Sequence, residues 1–257
     1  MHYSIQGSGD KIILAFHGFG QDHSAFDLLA SKIGEQYTIY SFDLFFHGKS
    51  HWMDHKPALT KSFWKKLVTA FCQQEGIEHF TILAFSMGGK FALACIETMP
   101  SYIKKLILIA PDGIKTSAWY SLATYPIFFQ SYFKSMIVKP GRFYSLLNAF
   151  QRFKLLDKGI SKFAASQMNT VKKRRRVYYS WITFKLLVFD MQIISRIINN
   201  HQIPLDMYIG RYDKIITQAG MEKLLNKLDD YNLYIVESGH NDLIKKISER
   251  TDFTKDF

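Results

Sequence analysis

Cysteine is scarce in this chain. Cys72 and Cys95, the only two in 257 residues, are too few for a disulfide framework and lack metal-site spacing. A reducing, cytoplasmic setting is therefore expected. No apolar run approaches the roughly 20 residues that a membrane-spanning helix needs. The opening residues, Met1 to Gly7, lack the basic-then-apolar order of a secretory signal. There is no internal repeat and no low-complexity linker. Acidic residues are also scarce, but only locally. Residues 112–200 hold 15 Lys/Arg and three acids, Asp112, Asp157 and Asp190, a local charge of +12. The remainder holds 18 basic and 19 acidic residues, so it carries −1 of the chain's +11.

The same middle stretch holds 17 of the 40 aromatic residues. A composition break at both of its edges points to an insertion within a near-neutral domain. The 47% hydrophobic content excludes a disordered chain, and the length is ample for a full core.

The flanking segments alternate between two patterns. Short apolar runs at Lys11–Phe16, Tyr37–Phe42, Phe80–Phe85, Ile103–Ala110, Leu205–Ile209 and Leu233–Val236 read as buried strands. Residues 22–33, 60–75, 87–98, 217–228 and about 241–249 read as helices, with Thr60 a cap for the second. Such alternation predicts an α/β fold, with a mostly parallel sheet covered on both faces. His2–Gln6 could add an antiparallel edge strand. The insertion reads as all helical, with Val177–Ile198 a long amphipathic segment.

Ser86 lies in Ala84-Phe85-Ser86-Met87-Gly88-Gly89, between a predicted strand and a predicted helix. A serine there sits on a tight turn that lifts its hydroxyl above the carboxyl edge of the sheet. Small residues two places before and after are required; Gly88 meets that need, and Ala84 adds one methyl. The alternative is a serine that only caps a helix. A serine hydroxyl needs a base, and the base needs an orienting carboxylate. His240 follows the last strand and Asp213 the strand before it, so both emerge at the same edge as Ser86. Asp112, after the fourth strand, is the rival acid; its Pro-Asp-Gly setting also suits a plain turn. Asp206, inside a strand, is not expected to reach the edge. The backbone N–H groups of Met87 and Phe19 are the candidate oxyanion donors. His17 is expected to support its loop.

With these pieces in place, the sequence resembles the α/β-hydrolase superfamily across nearly all its length. The matching residues are His17-Gly18-Phe19-Gly20, Asp43 through Ser50, the Ser86 turn, Gly210 to Asp213, and Gly239-His240. The family's D-x-P-G-H-G-x-S loop stands here as Asp43-Leu-Phe-Phe-His47-Gly48-Lys-Ser50, with Phe45-Phe46 replacing Pro-Gly. His47, Gly48 and Ser50 are taken as loop-shaping. The resemblance implies a core of residues 1–111 and 201–257, with a helical cap over 112–200 inserted after the strand ending near Ala110. It also implies a shortened N-terminus, and neither a cofactor nor a metal.

The expected activity is hydrolysis of a carboxylic ester or thioester by Ser86, His240 and Asp213, with catalysis of the esterase type. Carbon–carbon bond hydrolysis or a lyase reaction with the same triad is the alternative, and a non-enzymatic binding module is a third. The cap aromatics Trp119, Tyr120, Tyr125, Phe128, Phe129, Tyr132 and Phe133 point to an apolar acyl or aromatic group in a small-molecule substrate, or to the cap's own core. The cations allow an anionic substrate, an anionic membrane surface or solvent. In Lys172-Lys173-Arg174-Arg175-Arg176, most side chains are expected to face solvent. No groove-reading motif accompanies them, so no nucleic-acid partner is expected.

Overall fold

A computed structural model describes residues 1–53, 58–115, 124, 127–155 and 158–250. By their packing the residues divide into two units. One comprises Met1–His51, Thr60–Lys115 and Leu187–Phe257; the other comprises Trp52–Leu59 and Thr116–Leu186. The expected insertion spans 112–200, whereas the second unit ends at Leu186 and also takes in the short segment from Trp52.

The first unit is built on a seven-stranded sheet. Its strands are β1 (Tyr3–Gln6), β2 (Lys11–Phe16), β3 (Tyr37–Phe42), β4 (Phe80–Phe85), β5 (Ile103–Ile109), β6 (Leu205–Gly210) and β7 (Asn232–Val236). Their spatial order is β1-β3-β2-β4-β5-β6-β7. β1 runs antiparallel to β3, and the other neighbours are parallel. β4 and β6 are buried along their whole length, as continuous apolar strands of a covered sheet should be. The winding direction reverses between β2 and β4. Beyond the carboxyl ends of such a pair the connections diverge and leave a crevice.

Helices α1 (Asp27–Ile33), α2 (Lys61–Glu75) and α3 (Gly88–Thr98) follow β2, β3 and β4. Thr60 Oγ1 accepts from Phe63 N at 3.2 Å and starts α2; Gly76, in the left-handed region, ends it. α3 is buried from Gly88 to Ile96, and its small residues let it lie close to the sheet. A Cβ on Gly88 would stand 2.0 Å from Phe16 O, so only glycine fits. Trp64 of α2 is fully buried and donates through Nε1 to Phe91 O at 3.1 Å. Both cysteines are free and buried; burial pushes the Cys72 thiol up to about 11 and the Cys95 thiol up to about 12. Neither is a thiolate at neutral pH.

The described helices of the second unit are α4 (Ile127–Ser135), α5 (Gly141–Arg152), α6 (Lys158–Met168) and α7 (Val171–Thr183). Trp119, Tyr120 and Tyr125 lie outside the described residues. The amphipathic stretch 177–198 is broken rather than continuous. α7 ends in a 3-10 turn at Phe184–Leu186, and α8 (Met191–Asn200), part of the first unit, restarts at Asp190. Asp190 caps that restart by accepting from Gln192 N at 2.8 Å. Two helices follow in the first unit, α9 (Gln218–Leu225) and α10 (Leu243–Ser248).

The basic run of α7 departs from expectation at one residue. Arg174 is buried, Lys173 and Arg176 are half-buried, and Lys172 and Arg175 are exposed. Arg174, Val177, Tyr178 and Trp181 share one helix face by their i, i+3, i+4, i+7 spacing. Arg174 Nε donates to Ile137 O at 2.8 Å, and Nη1 to Met168 O at 3.0 Å. Met168 is the last residue of α6, and Ile137 lies two past the end of α4. The guanidinium therefore satisfies carbonyls that helix ends leave open. Lys173 Nζ bonds Ser166 O at 2.9 Å in the same way.

Candidate active site

Ser86 directly follows β4, with φ of 49°. A non-glycine residue in that region carries strain of about 1–3 kcal/mol and persists only when its surroundings hold it there. Ser86 N donates to Ile109 O at 3.0 Å. Ser86 O accepts from Gly89 N and from Asp112 N, each at 2.8 Å. The strained residue is thus gripped on both sides by the chain leaving β5. Ala84 sits within β4, paired with Phe16 and Leu108, and its methyl is fully buried without disturbing either register.

The loops after β6 and β7 are knit together. Arg211 N donates to Val236 O at 2.8 Å and Tyr212 N to Ser238 O at 3.0 Å. Asp213 is buried; its Oδ1 accepts from Ile215 N at 2.8 Å and Ile216 N at 2.9 Å. Those bonds aim Oδ2 at His240 Nδ1, 2.5 Å away. His240 Nε2 in turn lies 2.9 Å from Ser86 Oγ. The Phe85 ring packs against the His240 ring at 5.0 Å between centroids. Three side chains from three strand ends therefore form one hydrogen-bonded line. With Nδ1–H given to Asp213, Nε2 is free to accept the Ser86 proton.

Asp112, the rival acid, is spent elsewhere. Its Oδ1 accepts from Gly113 N at 2.7 Å, and its Oδ2 lies 3.5 Å from Lys90 Nζ. The Pro-Asp-Gly turn uses its aspartate locally, as such turns do. Asp206 is held in the sheet by Lys105 at 2.7 Å and Asn232 at 2.8 Å. Met87 stands at the start of α3, where the first N–H groups have no intrahelical acceptor. Phe19, half-buried, follows β2, the neighbour of β4.

The family model for the alpha/beta hydrolase fold matches residues 11–247. The chain belongs to that family. It is 26% identical over 248 residues to a pimeloyl-[acyl-carrier protein] methyl ester esterase of Stenotrophomonas maltophilia, covering 93% of this chain and 89% of that one. An uncharacterized protein of Mycobacterium tuberculosis is 28% identical over 114 residues, which are 44% of this chain and only 32% of that protein's length. Among solved structures, the alpha/beta hydrolase MGS-M2 from a Medee basin deep-sea metagenome library superposes with a TM-score of 0.67. It is 16% identical, with 95% of this chain and 88% of that one covered, which speaks for the fold alone.

The altered alpha/beta hydrolase loop after β3 has a clear physical role. Phe46 stands where the family pattern has glycine, and it adopts φ of 69°. Gly48, at φ of 50°, passes so close to Asp43 that a Cβ would stand 2.1 Å from its carboxylate. Asp43 is fully buried and is the hub of the loop. Its Oδ1 accepts from His23 N and Nδ1, and its Oδ2 from Lys49 N, each at 2.8 Å. His2 Nδ1 lies 2.8 Å from Oδ2. Burial alone would raise this carboxyl; the N–H groups of Lys49 and His23 and the His23 ring outweigh it and hold it down to about 2.

His17 braces the neighbouring loop. Nδ1 bonds Gly18 O at 2.7 Å, and Nε2 accepts from Leu44 N at 3.0 Å, which fixes a neutral ring with its proton on Nδ1. The Phe19 and His47 rings meet in a T-shaped pair, 5.1 Å between centroids. His2, His23 and Asp43 are, among the described residues, the cluster with metal-ligating donors. His23 Nδ1 is hydrogen-bonded to Oδ1 and His2 Nδ1 makes an ion-pair contact with Oδ2, both at 2.8 Å, whereas atoms sharing a zinc ion stand roughly 3.3 Å apart. The cluster reads as a latch for β1. The sequence had no signal for this latch or for the grip of Ile109 and Asp112 on Ser86, because both depend on which strands are neighbours.

Proposed function

We propose that the chain is a serine hydrolase of carboxylic esters or thioesters with a small-molecule acyl substrate. The observation that carries this reading is the continuous line from Asp213 through His240 to a strained Ser86 hydroxyl, at 2.5 and 2.9 Å. In the first step Ser86 Oγ attacks the acyl carbonyl while its proton passes to His240 Nε2. Asp213 holds the ring and stabilises its charged form. The N–H groups of Met87 and Phe19 take the negative charge of the tetrahedral intermediate, each worth about 100- to 1000-fold in rate. His240 then protonates the departing alcohol or thiol, and water, activated by the same ring, releases the acid.

The likeness to an esterase over most of both chains supports the ester class. Two buried free thiols are in keeping with a reducing, cytoplasmic compartment. The helical insertion is assigned to substrate selection. A fluorophosphonate probe should label the wild type and leave Ser86→Ala unlabelled; equal labelling of both would overturn the reading. A panel of methyl esters and thioesters of graded acyl length, assayed on both proteins, then identifies the substrate class. Methyl esters are the first choice, given the S. maltophilia relative.

A further inference from the structure

We infer that the outward face of α4 and the turn after it form a docking surface for an anionic lipid bilayer. This inference is independent of the proposed hydrolase activity.

At 100° per residue, Phe128, Phe129 and Tyr132 lie within one third of the circumference of α4, and all three are exposed. Phe128 is 80% exposed, and Val138, in the turn that follows, is 79% exposed. Side chains that far out have no pocket walls around them. A protein partner would need shaped surroundings for such anchors, whereas a fluid acyl layer accepts isolated protruding aromatics. Large exposed aromatics this prominent are not the normal scatter of apolar surface.

The rim is cationic. Lys139 is exposed next to Val138 in that turn, whereas Lys134, also exposed, lies on the opposite side of α4. Arg142 donates through Nη1 to Ser135 Oγ at 2.5 Å and stands over the Tyr132 ring at 5.5 Å. The pairing recurs at the end of α5, where Arg152, Phe153, Lys154 and Leu155 are consecutive and all exposed. The sequence from 116 to 186 has 13 Lys/Arg and a single acid, Asp157, so little local negative charge competes with lipid phosphate. An anionic headgroup layer is the complement of that field. Among the described residues no helix is long and apolar enough to cross a membrane, so the contact is interfacial. The dense Lys172–Arg176 run is not the anchor, because Arg174 is buried and bonded within its own unit.

The test uses the full chain carrying Ser86→Ala, so that hydrolysis cannot alter the lipid. Sucrose-loaded vesicles of phosphatidylcholine alone, and of equal phosphatidylcholine and phosphatidylserine, are pelleted with it at low and high NaCl. Pelleting with the mixed vesicles, weak pelleting with the neutral ones and loss on adding salt are expected. Phe128→Ser with Val138→Ser should lower the partition coefficient roughly tenfold or more. Lys139→Glu should lower it roughly fivefold or more through charge alone. All three positions are exposed, and circular dichroism checks that the variants are folded. Absence of pelleting with mixed vesicles overturns the proposal, as does pelleting that ignores both sets of variants. If the apolar pair instead abolishes self-association in vesicle-free sedimentation while partitioning is unchanged, the face belongs to a second copy of the chain and the proposal fails.

Discussion

The two units bury charge by opposite means. In the sheet-bearing unit buried charges meet side chains and backbone N–H groups: three are carboxylates, and the cation Lys90 lies 3.5 Å from Asp112 Oδ2. Asp43 is met by His23 and backbone N–H groups, Asp206 by Lys105 and Asn232, and Asp213 by His240. Among the described residues of the helical unit the buried charge is Arg174, and its partners are main-chain carbonyls at the ends of α4 and α6. With one acid between 116 and 186, carboxylates are scarce in that stretch. Helix C-termini carry partial negative charge and unpaired oxygens, so they serve in place of a carboxylate. A cation-rich sequence is therefore not by itself a binding surface: part of the charge is internal bracing.

Strain is also distributed unequally. Phe46, Ser86 and Ala110 have positive φ, and each follows a strand, β3, β4 or β5, at the same edge of the sheet. In the helical unit the corresponding residue is Lys154, which only ends α5. Three of the first unit's positive-φ residues lie at the edge where chemistry is proposed; Lys154 in the second unit, like Gln202 after α8 in the first, follows the end of a helix.

The sharpest way to break this contrast is Ser86→Gly. It should abolish turnover, about a 10⁶-fold loss, while raising stability by about 1 kcal/mol because glycine accepts φ of 49° without strain. Ester kinetics and urea unfolding check the two halves; a less stable variant would remove the strain reading. Next comes the choice between acids. Asp213→Asn should cost about 10⁴-fold in kcat, whereas Asp112→Asn should stay within about tenfold. A reversal of that order in one assay would reassign the orienting group.

For the helical unit, Arg174→Ala should cost about 3 kcal/mol by orphaning two carbonyls in a buried position. Hydrogen exchange should show lost protection in α6 and α7 with β2 and β4 unchanged. Lys172→Ala and Arg175→Ala, both at exposed positions, should leave unfolding unmoved. In the sheet-bearing unit the Asp43 carboxyl is held down to about 2, below its unfolded value near 4. The stability it supplies is present above about pH 4 and is lost as pH falls through about 2, and it amounts to about 2 kcal/mol. The stability gap between wild type and Asp43→Asn should accordingly shrink across that window. A gap that persists at pH 2 would assign the effect to packing.

Much of this was legible in the chain itself. Apolar strands, their alternation with helices, and Ser86, Asp213 and His240 at strand ends all follow from local pattern. The break at Asp190 was not legible, since amphipathic spacing continues through it while the backbone does not. The fate of Arg174 was not legible. Its neighbours Lys173 and Arg175 are equally cationic, and only the position of the helix decides which of the three turns inward.

The sequence by itself determined the alternating architecture and which residues reach the carboxyl edge of the sheet, because periodicity and strand-end position are local properties. Tertiary structure decided which acid faces His240, what grips Ser86 and which cations are buried. Those outcomes depend on strand order and helix packing, which bring together residues far apart in the chain, and no local window of sequence contains both partners.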